Sequence, residues 1–147
     1  MRGQCLCGEI SVTLPRSIAE IGVCHCRMCR RWGSGPWMAL QAPPDTRIDG
    51  STLKVFRSSW AAERGFCDEC GSHIFHRPQD GPELAVSAGL FDGGEFHIAR
   101  EICHDGKPPY YRFNADSERS SSAALALRWL PRLVWRRLSR PFRRHGS

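Results

Sequence analysis

The sequence predicts a mainly β domain stapled by clustered cysteines. Three observations predict it. Short apolar stretches are separated by glycine and proline, helical periodicity is confined to the C-terminal end, and seven of eight cysteines fall into three clusters. At 147 residues and 41% hydrophobic content, the chain is long enough for one core without splitting.

Taken in order, Ile10, Val12 and Leu14 alternate with Ser11 and Thr13. That is a half-buried strand leaving from Cys7-Gly8 and stopping at Pro15. Ile21-Gly22-Val23 is a short extended stretch running into Cys24. Arg30 to Pro36 reads as a turn or short helix ending at glycine, and Trp37 to Leu40 as a strand closed by Pro43-Pro44. Asp49-Gly50 marks a turn before a strand at Leu53–Arg57. Ala62–Phe66 and Ser72–His76 form a hairpin whose turn is Cys67-Asp68-Glu69-Cys70. Leu84–Ala88 is a buried-type strand, Asp92-Gly93-Gly94 turns the chain into Phe96–Ala99, and Glu101–His104 is a last, separate strand. Finally, Leu127, Leu130, Val134 and Leu138 recur at helical spacing beside a stripe of Arg128, Arg132 and Arg136. Pro131 lacks an amide donor and predicts one short helix before it and another after.

Charge divides the chain in two. Residues 117–147 hold eight of the 21 basic residues and a single acid, Glu118, so the remainder is close to neutral despite the overall +6. The boundaries that follow are a domain over 1–116 and a basic amphipathic tail over 117–147. The opening Met1-Arg2-Gly3-Gln4-Cys5 has no apolar leader and no stretch reaches the length of a membrane span. In a reducing cytoplasm, the predicted location, clustered Cys-x-x-Cys is metal-binding or redox-active rather than a disulfide framework.

Zinc suits these clusters, because it prefers thiolate sulfur in tetrahedral array. Cys67-x-x-Cys70-Gly71 is a tight turn that brings two sulfurs together. Cys5-x-Cys7-Gly8 does the same in an extended segment, where residues i and i+2 face one side. Two pairs close one tetrahedron, so Cys5, Cys7, Cys67 and Cys70 are assigned to a structural zinc. Cys24, Cys26 and Cys29 remain, three thiolates with one open position, the form of a catalytic zinc. Two ions per chain are thus expected. The rival reading completes the second site with Cys103, His25, His73 or His76. His25 otherwise reads as a packing residue beside the ligands, Cys103 as a small buried strand residue, and Trp32 and Trp37 as core.

Cys5-x-Cys7-Gly8-Glu9-Ile10, Cys24-His25-Cys26-x-x-Cys29-Arg30 with Gly33-Ser34, and Phe66-Cys67-x-x-Cys70-Gly71-Ser72 form a linked set. The set resembles the glutathione-dependent formaldehyde-activating enzyme family, whose domain is shared with centromere protein V. Ala88–Asp92, His97-Ile98 and Lys107-Pro108-Pro109-Tyr110 resemble its later segments more loosely, so the likeness spans roughly residues 1 to 115. The chain departs from the family where Gln4 precedes Cys5 and where Tyr110 stands in place of a tryptophan. The resemblance implies stacked short antiparallel sheets of the Mss4-like type and the same division of thiolates. It also implies carbon–sulfur lyase chemistry on a glutathione adduct of a small aldehyde, such as S-hydroxymethylglutathione. Glutathione or a related thiol would take the fourth zinc position, become a thiolate and attack the aldehyde, with Arg27 or Arg30 steering its carboxylates. The alternative is a non-catalytic zinc-stapled module whose arginine-rich tail docks on nucleic acid or an anionic membrane surface. On the enzyme reading, deleting Ser117–Ser147 is expected to leave activity intact.

Overall fold

The structure is a computed structural model and describes residues 1–79 and 81–139. Its elements follow in chain order: β1 (Arg2–Gln4), β2 (Ser11–Thr13), β3 (Glu20–Cys24), α1 (Arg27–Gly33), β4 (Trp37–Ala42), β5 (Arg47–Asp49), β6 (Leu53–Arg57), β7 (Ala62–Cys67), β8 (His73–Pro78), β9 (Leu84–Ser87), β10 (His97–Ile102), β11 (Glu118–Ser120) and α2 (Ser122–Leu138). Two sheets result. One is small, in the order β1-β2-β5, and the other runs β11-β10-β3-β4-β9-β8-β7-β6. Pairing is antiparallel except where β10 lies parallel to both β3 and β11. The protein is therefore mainly β, as the alternating stretches predict.

One apolar core joins the sheets. Ile10, Val12 and Leu14, the inward set of the first alternating stretch, cluster with Leu40, Ile74, Phe75 and Val86. Two glycines are required by this contact. Gly50 has φ +143°, and a Cβ there would enter the Glu9 carbonyl. Gly65 on β7 faces Phe75 on β8, whose ring occupies the place a side chain would take. The same point carries a register shift between Gly65 and Phe66.

Three elements differ from expectation. The two strands expected at Phe96–Ala99 and Glu101–His104 are one, β10, and the β-bulge lies within it between Ile98 and Arg100. The short helix after the third cysteine begins earlier, at Arg27, because the Cys26 side chain caps it by accepting from the Cys29 amide. The two helices expected around Pro131 are a single helix, α2. Pro131 and Leu127, four residues before it, both lie on the exposed side. The carbonyl that loses its donor there is solvated, and the helix continues. No helix among the described residues is long and apolar enough to cross a membrane.

Replacing Gly65 with Ala overpacks the Phe75 contact. The expected result is a loss of about 1–3 kcal/mol in urea unfolding, with an unchanged denaturant slope.

Candidate metal centres and the thiol-floored cavity

The eight thiols are all free, and seven of them form two separate groups. Cys5, Cys7, Cys67 and Cys70 have their sulfurs within 4.8 Å of one another. The pairs meet because β1 ends beside the β7–β8 turn. The Leu6 amide donates to the Ser72 hydroxyl at 3.1 Å, and sulfurs of Cys7 and Cys67 stand 3.7 Å apart. Backbone amides point at sulfur here, as thiolates require: Ile10 N–H reaches Cys5 Sγ at 3.2 Å. Gly8 and Gly71 take φ of +84° and +74°, which lets the two knuckles turn. The Ser72 hydroxyl and amide lower Cys70 to about 5. This donor set fits a tetrahedral metal ion.

Cys24, Cys26 and Cys29 form the second group, also within 4.8 Å. Cys24 ends β3, Cys26 caps α1, and Cys29 lies in the first turn of α1. Hydrogen bonds from the Cys24 and Cys29 thiols, helped by the Cys29 and Met28 amides, push Cys26 far below the ordinary thiol range. Cys26 is thus the thiol poised to carry negative charge, while crowding against its neighbours raises Cys24 and Cys29, and the group can hold a metal ion.

Of the rival fourth ligands, none joins this set. His25 is wholly buried and both ring nitrogens are engaged, Nε2 with the Glu101 carboxylate and Nδ1 with the Tyr111 hydroxyl, each at 2.8 Å. Burial lowers its pKa, so the neutral ring donates from Nε2 and accepts at Nδ1. His73 gives its Nε2–H to the Phe75 carbonyl at 2.9 Å. Cys103 is buried, and the neighbouring Cys24 thiol lowers it to about 7. It lies just after β10, in a left-handed conformation with φ +53°, beside the triad rather than within it.

The triad opens on a cavity of about 440 Å³. Cys103, Arg64 and His76 also line it. Burial, and then the Arg64 charge, bring His76 down to about 4, so its ring is neutral at physiological pH. Trp37 lines the cavity and Trp32 does not; both are half-buried and pack on His73, at 4.7 Å and 5.3 Å between ring centroids. The arginines expected to steer a ligand stand elsewhere. Arg27 is exposed, Arg30 gives its Nε–H to the His25 carbonyl at 3.0 Å, and neither lines the cavity.

The far wall is the surprise, because α2 supplies it. Leu125, Ala126, Trp129 and Leu133 line the same cavity as the thiols. The described part of the basic tail, residues 117–139, therefore contributes to the lining of this cavity, and residues 140–147 lie outside the described residues. Asp105 accepts from both the amide and hydroxyl of Ser122, at 2.7 Å and 2.9 Å, and so anchors the helix start. Arg136 grips Glu83 with two hydrogen bonds, at 2.9 Å and 2.7 Å. Leu127, Leu130, Val134, Trp135 and Leu138 stay exposed. Arg64 escaped the sequence reading, and His76, weighed there as a fourth ligand, lines the cavity outside the thiol group. Arg64 lies next to the register shift at Gly65, which breaks the alternation that would have shown its inward side.

The model of the family described as glutathione-dependent formaldehyde-activating enzyme matches residues 1–106. An uncharacterised lyase of Schizosaccharomyces pombe is 32% identical over 114 residues, covering 76% of this chain and 83% of its own. A Phaeosphaeria nodorum protein named for glutathione-dependent formaldehyde activation is 27% identical over 120 residues, 72% of this chain and 63% of its own length. A crystal structure of a Rhodobacter sphaeroides protein superposes with a TM-score of 0.52 at 29% identity, covering 64% of this chain and 90% of that one.

Asp105→Ala removes the anchor of α2. Faster amide exchange confined to residues 122–138 is expected, with the sheets unchanged.

Proposed function

Because the chain belongs to the glutathione-dependent formaldehyde-activating enzyme family, we propose that it is a zinc-dependent carbon–sulfur lyase. Its substrate is the adduct of an aldehyde with glutathione or a related small thiol, such as S-hydroxymethylglutathione. The observation that carries this reading is the Cys24/Cys26/Cys29 triad at the floor of a ligand-sized cavity.

Cys5, Cys7, Cys67 and Cys70 would hold a structural zinc, contributing on the order of 10–16 kcal/mol of binding energy to folding. Cys24, Cys26 and Cys29, which line the cavity, would hold the second. When bound there, zinc holds an incoming thiol as its thiolate at neutral pH. The chain's own residues do the rest. The wall formed by Leu125, Trp129 and Leu133 shields the floor from water, which strengthens every charge interaction there. The His76 ring, held neutral by burial and by Arg64, lines the same cavity and adds no charge to it. The His25–Glu101 hydrogen bond fixes the loop from which Cys24 and Cys26 project.

Two zinc ions per chain are expected. Cys26→Ser should keep the fold and one zinc, and should lower formation of the glutathione–formaldehyde adduct to the uncatalysed rate. Catalysis above that rate by the one-zinc variant would disprove the mechanism. Cys70→Ser should instead fail to fold or lose metal from the structural site. The residues of α2 that line the cavity carry a further test. Trp129→Ala combined with Leu133→Ala should cut kcat/KM at least about tenfold while zinc content stays at two.

A further inference from the structure

Among the described residues, three charged side chains line the cavity at the triad: Arg64, Glu83 and Arg100. Two of them are committed. Arg64 is buried with Nη2 on the Cys29 sulfur, and Glu83 is gripped by Arg136. Arg100 is only half-buried, so a ligand can reach it. No carboxylate among the described residues pairs with it.

The sheet aims this arginine. Arg100 follows the β-bulge in β10 and is placed by it opposite Gly22 on β3. A Cβ at Gly22 would meet the Arg100 side chain, 3.1 Å from Nε and 3.6 Å from Cγ. The side chain therefore lies across β3, in the space that glycine leaves. Gly22 and Cys24 are two residues apart on that strand and share a face. Both line the cavity, as do Ile102, the partner of Cys24, and Ala39, the partner of Gly22 on β4. The other face of β3, with Ile21 and Val23, belongs to the core. Arg100 is thus on the face of the thiols, one strand repeat from Cys24, roughly 7 Å along the sheet.

We propose that Arg100 binds a carboxylate of the thiol substrate and so selects acidic thiols such as glutathione. The inference deepens the lyase reading and rests on a thiol occupying the triad. In a cysteinyl peptide the carboxylate of the next residue stands a comparable span from the sulfur. A thiol set on the triad would bring that group to the guanidinium. The fork of an arginine meets a carboxylate with two parallel hydrogen bonds. The task expected of Arg27 and Arg30, which do not line the cavity, falls to a residue of β10. The carboxylate takes no part in the reaction, so this contact is the same before and during it. It lowers KM and leaves kcat alone.

The test uses the full chain, Arg100→Gln and Arg100→Lys, with glutathione, glutathione diethyl ester and formaldehyde as probes. Zinc content is measured, and each thiol is titrated into cobalt-substituted protein by absorbance. The wild type should bind glutathione about tenfold more tightly than the ester, whose carboxylates are blocked. In Arg100→Gln that preference should vanish. Its glutathione midpoint and KM should rise about tenfold, with kcat within threefold and two zincs retained. Arg100→Lys should keep part of the preference, as a point charge without the fork. In the wild type, the side-chain 15Nε signal of Arg100 should shift with glutathione and not with the ester, a readout that survives any failure of the variants to fold. Equal wild-type binding of the two thiols overturns the proposal. So does a preference kept by Arg100→Gln, a loss confined to kcat, or a loss of zinc from the variants. Cobalt protein that takes up no thiol ends the reading of the triad as a thiol site, and the proposal with it. Arg100-dependent binding without adduct formation removes the lyase reading alone. Wild-type turnover that Arg100→Gln leaves untouched removes the proposal alone.

Discussion

The hydrogen bond between His25 and Glu101 ties the working parts of this protein to one another. His25 sits between two thiols of the triad, and Glu101 is on β10, the parallel neighbour of the strand that delivers Cys24. The same carboxylate accepts from Ser117 at 2.7 Å and from Arg119 at 3.3 Å, so the start of the tail is fastened to the thiol loop through one buried group. Tyr111 closes the other side of the imidazole. A carboxylate this deeply buried is tolerated only when its lone pairs are filled, and here each oxygen has a partner. Removing either member leaves a buried polar group short of a hydrogen bond, at a cost of about 1–3 kcal/mol.

From that anchor the site follows as a problem of charge in a dry place. Sulfurs crowded within 4.8 Å repel one another once ionised. A guanidinium at Cys29 and an amide at the helix start relieve this, and a cation held between them would relieve it further. Apolar walls then make the relief stronger by keeping water away. The arginine-rich helix serves the same end in an indirect way. Only Arg136 turns inward, to Glu83, and it pins an apolar face over the thiols while the other arginines of the helix stay exposed.

The parts of the fold set by local chemistry were legible in the sequence. Alternation gave the inward set Ile10, Val12 and Leu14. The matched cysteine knuckles announced the first thiol group, and the tight Cys24–Cys29 spacing announced the second. What depends on long-range placement was not legible. Arg64 looks like an ordinary strand cation because the register shift beside it disguises its side. The tail looks autonomous by composition, yet its contacts with Glu83, Glu101 and Asp105 belong to residues far away in sequence. Pro131 reads as a break because sequence alone does not say which side of the helix meets water.

The two thiol groups differ in the length of chain each must close. Cys24 to Cys29 is a local loop that can form within a few residues of its own synthesis. Cys7 and Cys67 enclose 60 residues of separation, so their group must wait for the central hairpin and bear a larger entropic cost of closure. Assembly thus has a built-in order. The local triad can exist on a nascent chain, the long-range group sets the sheets against each other, and the wall contributed by α2 arrives last, after both floors are in place.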